Sequence, residues 1–351
     1  MLPVESGYVP TTTATLPTGA TAPTELSPSQ QQALAERYAP ILYFHPDEQN
    51  FLQDPNTFIE QSSLREERDW RSDKELHGQG DVPPEELADI GPENATADGQ
   101  IFLDHDDDAR AGDLDNSQNL YQYDAETNTV TYYFFYSYND GPPGVGDVQN
   151  HEGDWERITV HLDDNYQPTE VQYAAHNGLN SARSWAEAST EDGRPVVYVG
   201  QGSHASLPEP GEWSTNFPGV NDLASDDGIR FDLAGQPAVD VTTQPWYGSH
   251  VLWGERGTAQ EAGIGDTSGP TGPSPEKGPV TDGSSDRQRS SSRESAPDAP
   301  SFPFPFPQIP SIDVPGIDLP DIDAPDIDVP DIDLPDLPDI DLPDVDLPGP
   351  L

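Results

Sequence analysis

Residues 150–162 read Asn150-His151-Glu152-Gly153-Asp154-Trp155-Glu156-Arg157-Ile158-Thr159-Val160-His161-Leu162, and these residue types at this spacing can do chemistry. Side chains on a strand alternate faces. Glu156, Ile158, Val160 and Leu162 then share a face, joined by Asp154 if the strand starts that early. Two carboxylates about 6–7 Å apart along the strand would stand on the apolar side, which is costly unless they are protonated or neutralised. Arg157 points the other way. A divalent cation would neutralise them, and His151, across a turn at Gly153, could bring an imidazole to the same ion. Nitrogen with carboxylate oxygen suits Zn, Mn or Mg better than a pure Ca cage, although residue types alone do not choose among Mg, Mn, Zn and Ca. The competing reading has Asp154 capping a turn and Glu156 paired with an arginine elsewhere.

Other residues add to this centre. Gly202-Ser203-His204-Ala205-Ser206 directly follows an apolar strand, and loops at strand ends on a rigid scaffold often carry function. His204 and His176 are expected to line one cavity, as ligands or hydrogen-bond donors to a bound molecule; the alternative is that His204 holds its loop. His161 reads as surface, and His45 and Glu48 as structural. Asp104-His105-Asp106-Asp107-Asp108 alternates like a calcium loop. Ala109 stands where that loop needs glycine and Asp115 where it needs glutamate, so we read it as an acidic loop. No phosphate-cradling glycine loop and no Gly-x-Ser-x-Gly elbow is present.

The elements that must position these groups are mostly strands. Val130–Tyr138 is aromatic and β-branched, Trp155–Leu162 alternates, and Glu170–Ala175 and Pro195–Gly200 are short β runs between turn residues. Many short strands with Gly/Pro connections predict an all-β fold, a jelly-roll-like β-sandwich with one or two short peripheral helices. Ser27-Pro28-Ser29-Gln30 carries the marks of a helix start, with a capping box and proline at the first helical position. That helix should run to about Tyr38, and a second could begin near Pro83-Pro84-Glu85.

Composition sets the outer limits. The chain has 351 residues, 65 acidic and 15 basic side chains, a formal net charge of −50 and no cysteine. So negative a surface repels nucleic-acid backbones. Its self-repulsion fades at molar salt, where the Debye length is about 3 Å, so the charge favours the cytoplasm of a salt-accumulating organism; non-standard export stays open. No apolar run is long enough to cross a membrane as a helix. Residues 1–26 are Thr/Pro-rich and read as disordered, residues 27–280 as the sandwich domain, and 281–300 as a linker. From Phe302 the 301–351 tail repeats Pro-x-Ile-Asp-apolar, an extended arm that is low in complexity.

Several motifs together resemble the family named for vacuolar protein sorting-associated protein sixty-two, over most of residues 36–280. They are Tyr38-Ala39-Pro40-Ile41-Leu42-Tyr43-Phe44-His45-Pro46-Asp47-Glu48, His151-Glu152-Gly153-Asp154-Trp155-Glu156, His176-Asn177-Gly178, Tyr198 to Ser206, Trp253-Gly254-Glu255-Arg256-Gly257 and a Gly269-Pro270 turn. That resemblance transfers a label more than a mechanism. The middle segment is also similar to the Gly-His-Arg-His-Asp-Trp-Glu heptad of the necrosis-inducing cytolysins. This second resemblance implies a β-sandwich with a divalent ion in a surface cavity that receives a sphingolipid sugar headgroup. By position it implies His151, Asp154 and Glu156 as ligands, with Trp155 between the acids, Asp140 as a further ligand at a longer spacing, and His176 at a later His-Gly step. Asn150, Glu152 and Gly153 depart from the heptad.

The sequence therefore reads as a metal-containing β-sandwich module that binds a polar ligand, a glycan or a lipid headgroup, through the metal site with His176, His204 and Trp155 around it. One alternative is a metal-dependent hydrolase with Glu152 or His204 as base. The other is a surface or structural protein attached through its repetitive arm.

Overall fold

The computed structural model describes residues 26–69, 72–95, 99–143, 150–175, 178–215, 219–255 and 269–275. The expectations for His176, for nearly all of the 1–26 segment, for the linker and for the repetitive arm lie outside the described residues.

The elements run α1 (Pro28–Arg37), β1 (Ile41–Tyr43), α2 (Pro55–Glu60), β2 (Ser62–Asp69), β3 (Ser72–His77), α3 (Pro84–Leu87), β4 (Ile101–His105), β5 (Asn119–Asp124), β6 (Thr129–Asn139), β7 (His151–Leu162), β8 (Pro168–Ala175) and β9 (Gly178–Ser184). Then follow β10 (Thr190–Glu191), β11 (Arg194–Val199), β12 (Ser206–Leu207), β13 (Gly211–Ser214), β14 (Asn221–Ala224), β15 (Arg230–Asp232) and β16 (Ala238–Asp240). The fold is all-β with short helices. The capping box at Ser27 and Gln30 forms as its residues predict. α2 was not anticipated, yet its start is a clear one: the Asp54 carboxylate accepts the Asn56 amide at 2.9 Å, with Pro55 in the first turn.

A six-stranded sheet, ordered β16-β5-β6-β7-β8-β9, is the middle layer. One face packs on the smaller sheet β10-β11-β1-β15: Tyr132, Phe134, Tyr136, Ile158 and Val160 meet Leu42 of β1 and Val197 and Val199 of β11. The other face is covered as well. Tyr133, Phe135 and Trp155 pack with Phe58 of α2, Leu64 of β2, Leu103 of β4, and Trp246 and Trp253. This second cover explains a departure from the expected alternation. β7 is buried at every position except His161, because strands enclosed on both sides leave few positions for water. β7 also begins at His151, four residues earlier than the apolar pattern suggests, paired with β6 from Asn139↔His151 to Thr129↔His161.

Candidate functional site

Early pairing of β7 puts Asp154 and Glu156 on the same side as Ile158 and Val160, as side-chain parity requires, and both are fully buried. The strand reaches them through Gly153 at φ +57°. A Cβ there would lie 2.1 Å from the Trp253 carbonyl oxygen, so the position needs glycine both for its backbone and for its space.

Opposite Asp154 on β6 stands Tyr136. Its ring lies flat on the His204 imidazole, with centroids 3.9 Å apart and planes 4° from parallel. His204 Nδ1 is 3.0 Å from Asp154 Oδ2, and Nε2 is 3.2 Å from the Asn50 carbonyl and 3.6 Å from Glu48 Oε1. Both ring nitrogens face acceptors, so both carry hydrogen and the ring is an imidazolium. Burial alone would lower its pKa. The Glu48 charge, with the hydrogen bond to Asp154 and its charge, overcomes burial and pushes it up to about 10. Glu48 mirrors this. Burial would raise its carboxyl, but the His204 charge and the amides of Asn50 and Gly202 hold it at about 2. Those amides donate at 2.9 Å to Oε1 and 2.8 Å to Oε2.

On the outer side of Glu48 lies a cavity of about 260 Å³ lined by Asp47–Asn50, Asp140–Pro143, Gln201 and Gly202. Its loops are stitched together through the backbone. The Asp140 amide donates to Gly202 O at 3.0 Å. At Gly202 (φ +71°) a Cβ would stand 2.3 Å from Gly141 O. The Gly141 amide donates to Asn139 Oδ1 at 2.7 Å, and Asn150 Nδ2 donates to Asp140 Oδ1 at 2.9 Å. The charged lining groups are Asp47, Glu48 and Asp140, all acids. With side-chain amides beside them, the wall can accept hydrogen bonds from hydroxyls or ammonium groups, and it repels anions.

The residues singled out in the sequence are divided between locations. Asp154 and His204 come together, and Glu156 lies on the same face. Asp140 reaches the cavity wall instead. His151 turns its Nδ1 to the Gly153 carbonyl at 2.9 Å. Trp155 faces the opposite layer, amid Phe135, Trp246 and Trp253 with centroids 4.6–5.4 Å away, so it does not line the cavity. Among the described residues no three His, Asp or Glu side chains form a metal-holding group. Asp154, which the resemblance makes a ligand, is bonded to an imidazolium. His176, the remaining histidine expected near this centre, lies outside the described residues. Glu152, the candidate base, is not among the residues that line the cavity. Its Oε2 accepts the His105 amide at 3.0 Å, and burial, with the Asp104 and Glu255 charges, pushes its carboxyl up to about 8.

Sequence reasoning passed over Glu48 as merely structural and gave Tyr136 and Asn50 no role. The available signal was an acid within the early Phe44-to-Glu48 motif, but nothing local shows that its partner is His204, 156 positions later.

The family model described as vacuolar protein sorting-associated protein 62 matches residues 20–245. No curated protein matches the chain. Solved structures that match include NLPPya in complex with glucosamine, 14% identical, TM-score 0.33, covering 65% of this chain and 80% of that one. A second is described as "Toxin fold for microbial attack and plant defense", 14% identical, TM-score 0.34, covering 64% and 81%. A third is Necrosis and Ethylene inducing Protein 2 from the causal agent of cocoa's Witches Broom disease, 17% identical, TM-score 0.30, covering 62% and 76%. All three likenesses are distant.

Proposed function

The chain belongs to the vacuolar protein sorting-associated protein 62 family, and we propose that it is a binding module whose cavity takes a small hydroxyl-rich ligand, neutral or cationic, of the sugar or amino-sugar class. The observation that carries this reading is the cavity wall, where acids and side-chain amides stand together. Carboxylates and amides accept from hydroxyl and ammonium groups, whereas phosphate or sulfate would meet like charge. At about 260 Å³ the space lies just below the roughly 300–1,000 Å³ of pockets for drug-sized molecules, which suits one sugar ring. A lipid headgroup fits only if its sugar, not its phosphate, enters.

Hydrolysis is less well supported. A general base works best with a pKa near the working pH. Glu48 is held at about 2 and His204 at about 10, and Glu152, raised to about 8, does not line the cavity.

Calorimetric titration in molar KCl with methyl glucoside, glucosamine and inorganic phosphate tests the reading. We expect saturable heat from at least one sugar and none from phosphate. In an Asp47→Asn/Asp140→Asn variant the affinity should fall about tenfold or more, since hydrogen bonds to charged groups contribute about 1.5–3 kcal/mol. Phosphate binding as tightly as the sugars, or neither sugar binding at millimolar concentration, overturns the proposal.

A further inference from the structure

We infer that His204 is a positioning residue for the cavity, tying the two loops that carry Glu48 and Gly202 to strand β7 of the central sheet. The inference deepens the binding reading, but the tie itself can be observed without a ligand.

The loops cannot hold their shape through apolar burial. Asp47, Glu48, Gln49 and Asn50 form one, and Gln201, Gly202 and Ser203 the other. What fixes them is a line of polar contacts running inward. The Asn50 and Gly202 amides close on the two oxygens of one carboxylate, Glu48. That carboxylate faces His204 Nε2 at 3.6 Å, and His204 Nδ1 reaches Asp154 on β7 at 3.0 Å. The Nε2 group also meets the Asn50 carbonyl, so the imidazolium holds the first loop by side chain and backbone together. His204 is wholly buried. It can act on a ligand in the cavity only through Glu48 and the loops.

Its backbone supports the same conclusion. His204 sits at φ +52°, a conformation costly for a residue with a side chain, which persists only where the surroundings over-determine it. Here they do. The ring is stacked on Tyr136, both ring nitrogens are engaged, and the His204 amide donates to Gly200 O at 2.9 Å. The same contacts that hold this conformation carry Nε2 to the carboxylate that the two loop amides share.

Amide hydrogen exchange on the full chain in molar KCl tests the tie in Glu48→Gln and His204→Gln. Glu48→Gln keeps size and acceptor while removing the charge, so it serves even if His204→Gln fails to fold. We expect exchange at Asn50 and Gly202 to rise at least tenfold while the amides of Tyr132 and Val160 in the central sheet keep their protection. Unchanged loop amides, or an equal rise throughout the protein, overturn the inference. Glucosamine affinity in Glu48→Gln, read beside wild type, should fall at least tenfold. If wild type binds no sugar, the binding reading falls and the exchange pattern still decides the tie.

Discussion

At Asp154 the chain places a carboxylate on an apolar face, and the fold meets it with a cation from 50 residues further on. Replacing His204 by alanine removes that cation from between two buried acids. Loss of one partner from a buried ion pair costs about 3–5 kcal/mol, so thermal unfolding of His204→Ala should show a large drop in Tm, well beyond that of a half-buried His161→Ala control. The pH dependence follows from the two shifts. The His204 pKa is raised from 6.5 to about 10, so its stabilisation is complete below about pH 6.5 and is lost as pH climbs toward 10. The Glu48 pKa is lowered from 4.5 to about 2, so its stabilisation is present above about pH 4.5 and is lost as pH falls toward 2. Together they stabilise most between about pH 4.5 and 6.5. Glu152, raised from 4.5 to about 8, opposes this: its contribution falls progressively from about pH 4.5 to 8 and is constant above that. Subtracting the unfolding profile of a Glu48→Gln/His204→Gln double variant therefore isolates the contribution of the tie, and a flat difference would contradict it.

Strands and their turns were legible where the pattern was local. The aromatic run from Val130, the alternation around Ile158 and the Ser27 capping box each produced the expected element. The parity that placed Asp154 and Glu156 with Ile158 was correct because β7 pairs in register with β6 through this stretch. Burial of Trp155 on the far side was not legible, since its cover comes from α2, β2, β4 and the segment around Trp253, each made of residues whose own pattern does not name a partner. Gly153 joins these levels. Gly153→Ala must take φ +57° and place a methyl 2.1 Å from the Trp253 carbonyl. Where the native conformation is incompatible, such a change costs more than about 1 kcal/mol, and here the clash adds to strain. Denaturant unfolding should show a lower midpoint with an unchanged slope.

Across the whole molecule the net charge of −50 acts against compaction. Unfolding free energy should therefore rise as KCl is increased from about 0.1 M, where the Debye length is about 10 Å, to molar concentrations, where it is about 3 Å. Stability independent of salt would contradict that account of the composition. The cavity is also a property of the whole. Residues 47–50, 140–143 and 201–202 line it, and none of these three segments bears a binding motif on its own. The cavity could be seen only once the loops were in place. The most direct test of the central claim is an amide chemical-shift titration of isotope-labelled protein with methyl glucoside and with glucosamine in molar KCl. Saturable shifts confined to those three segments and their immediate neighbours are the predicted result; shifts centred elsewhere, or none at saturating sugar, would contradict it.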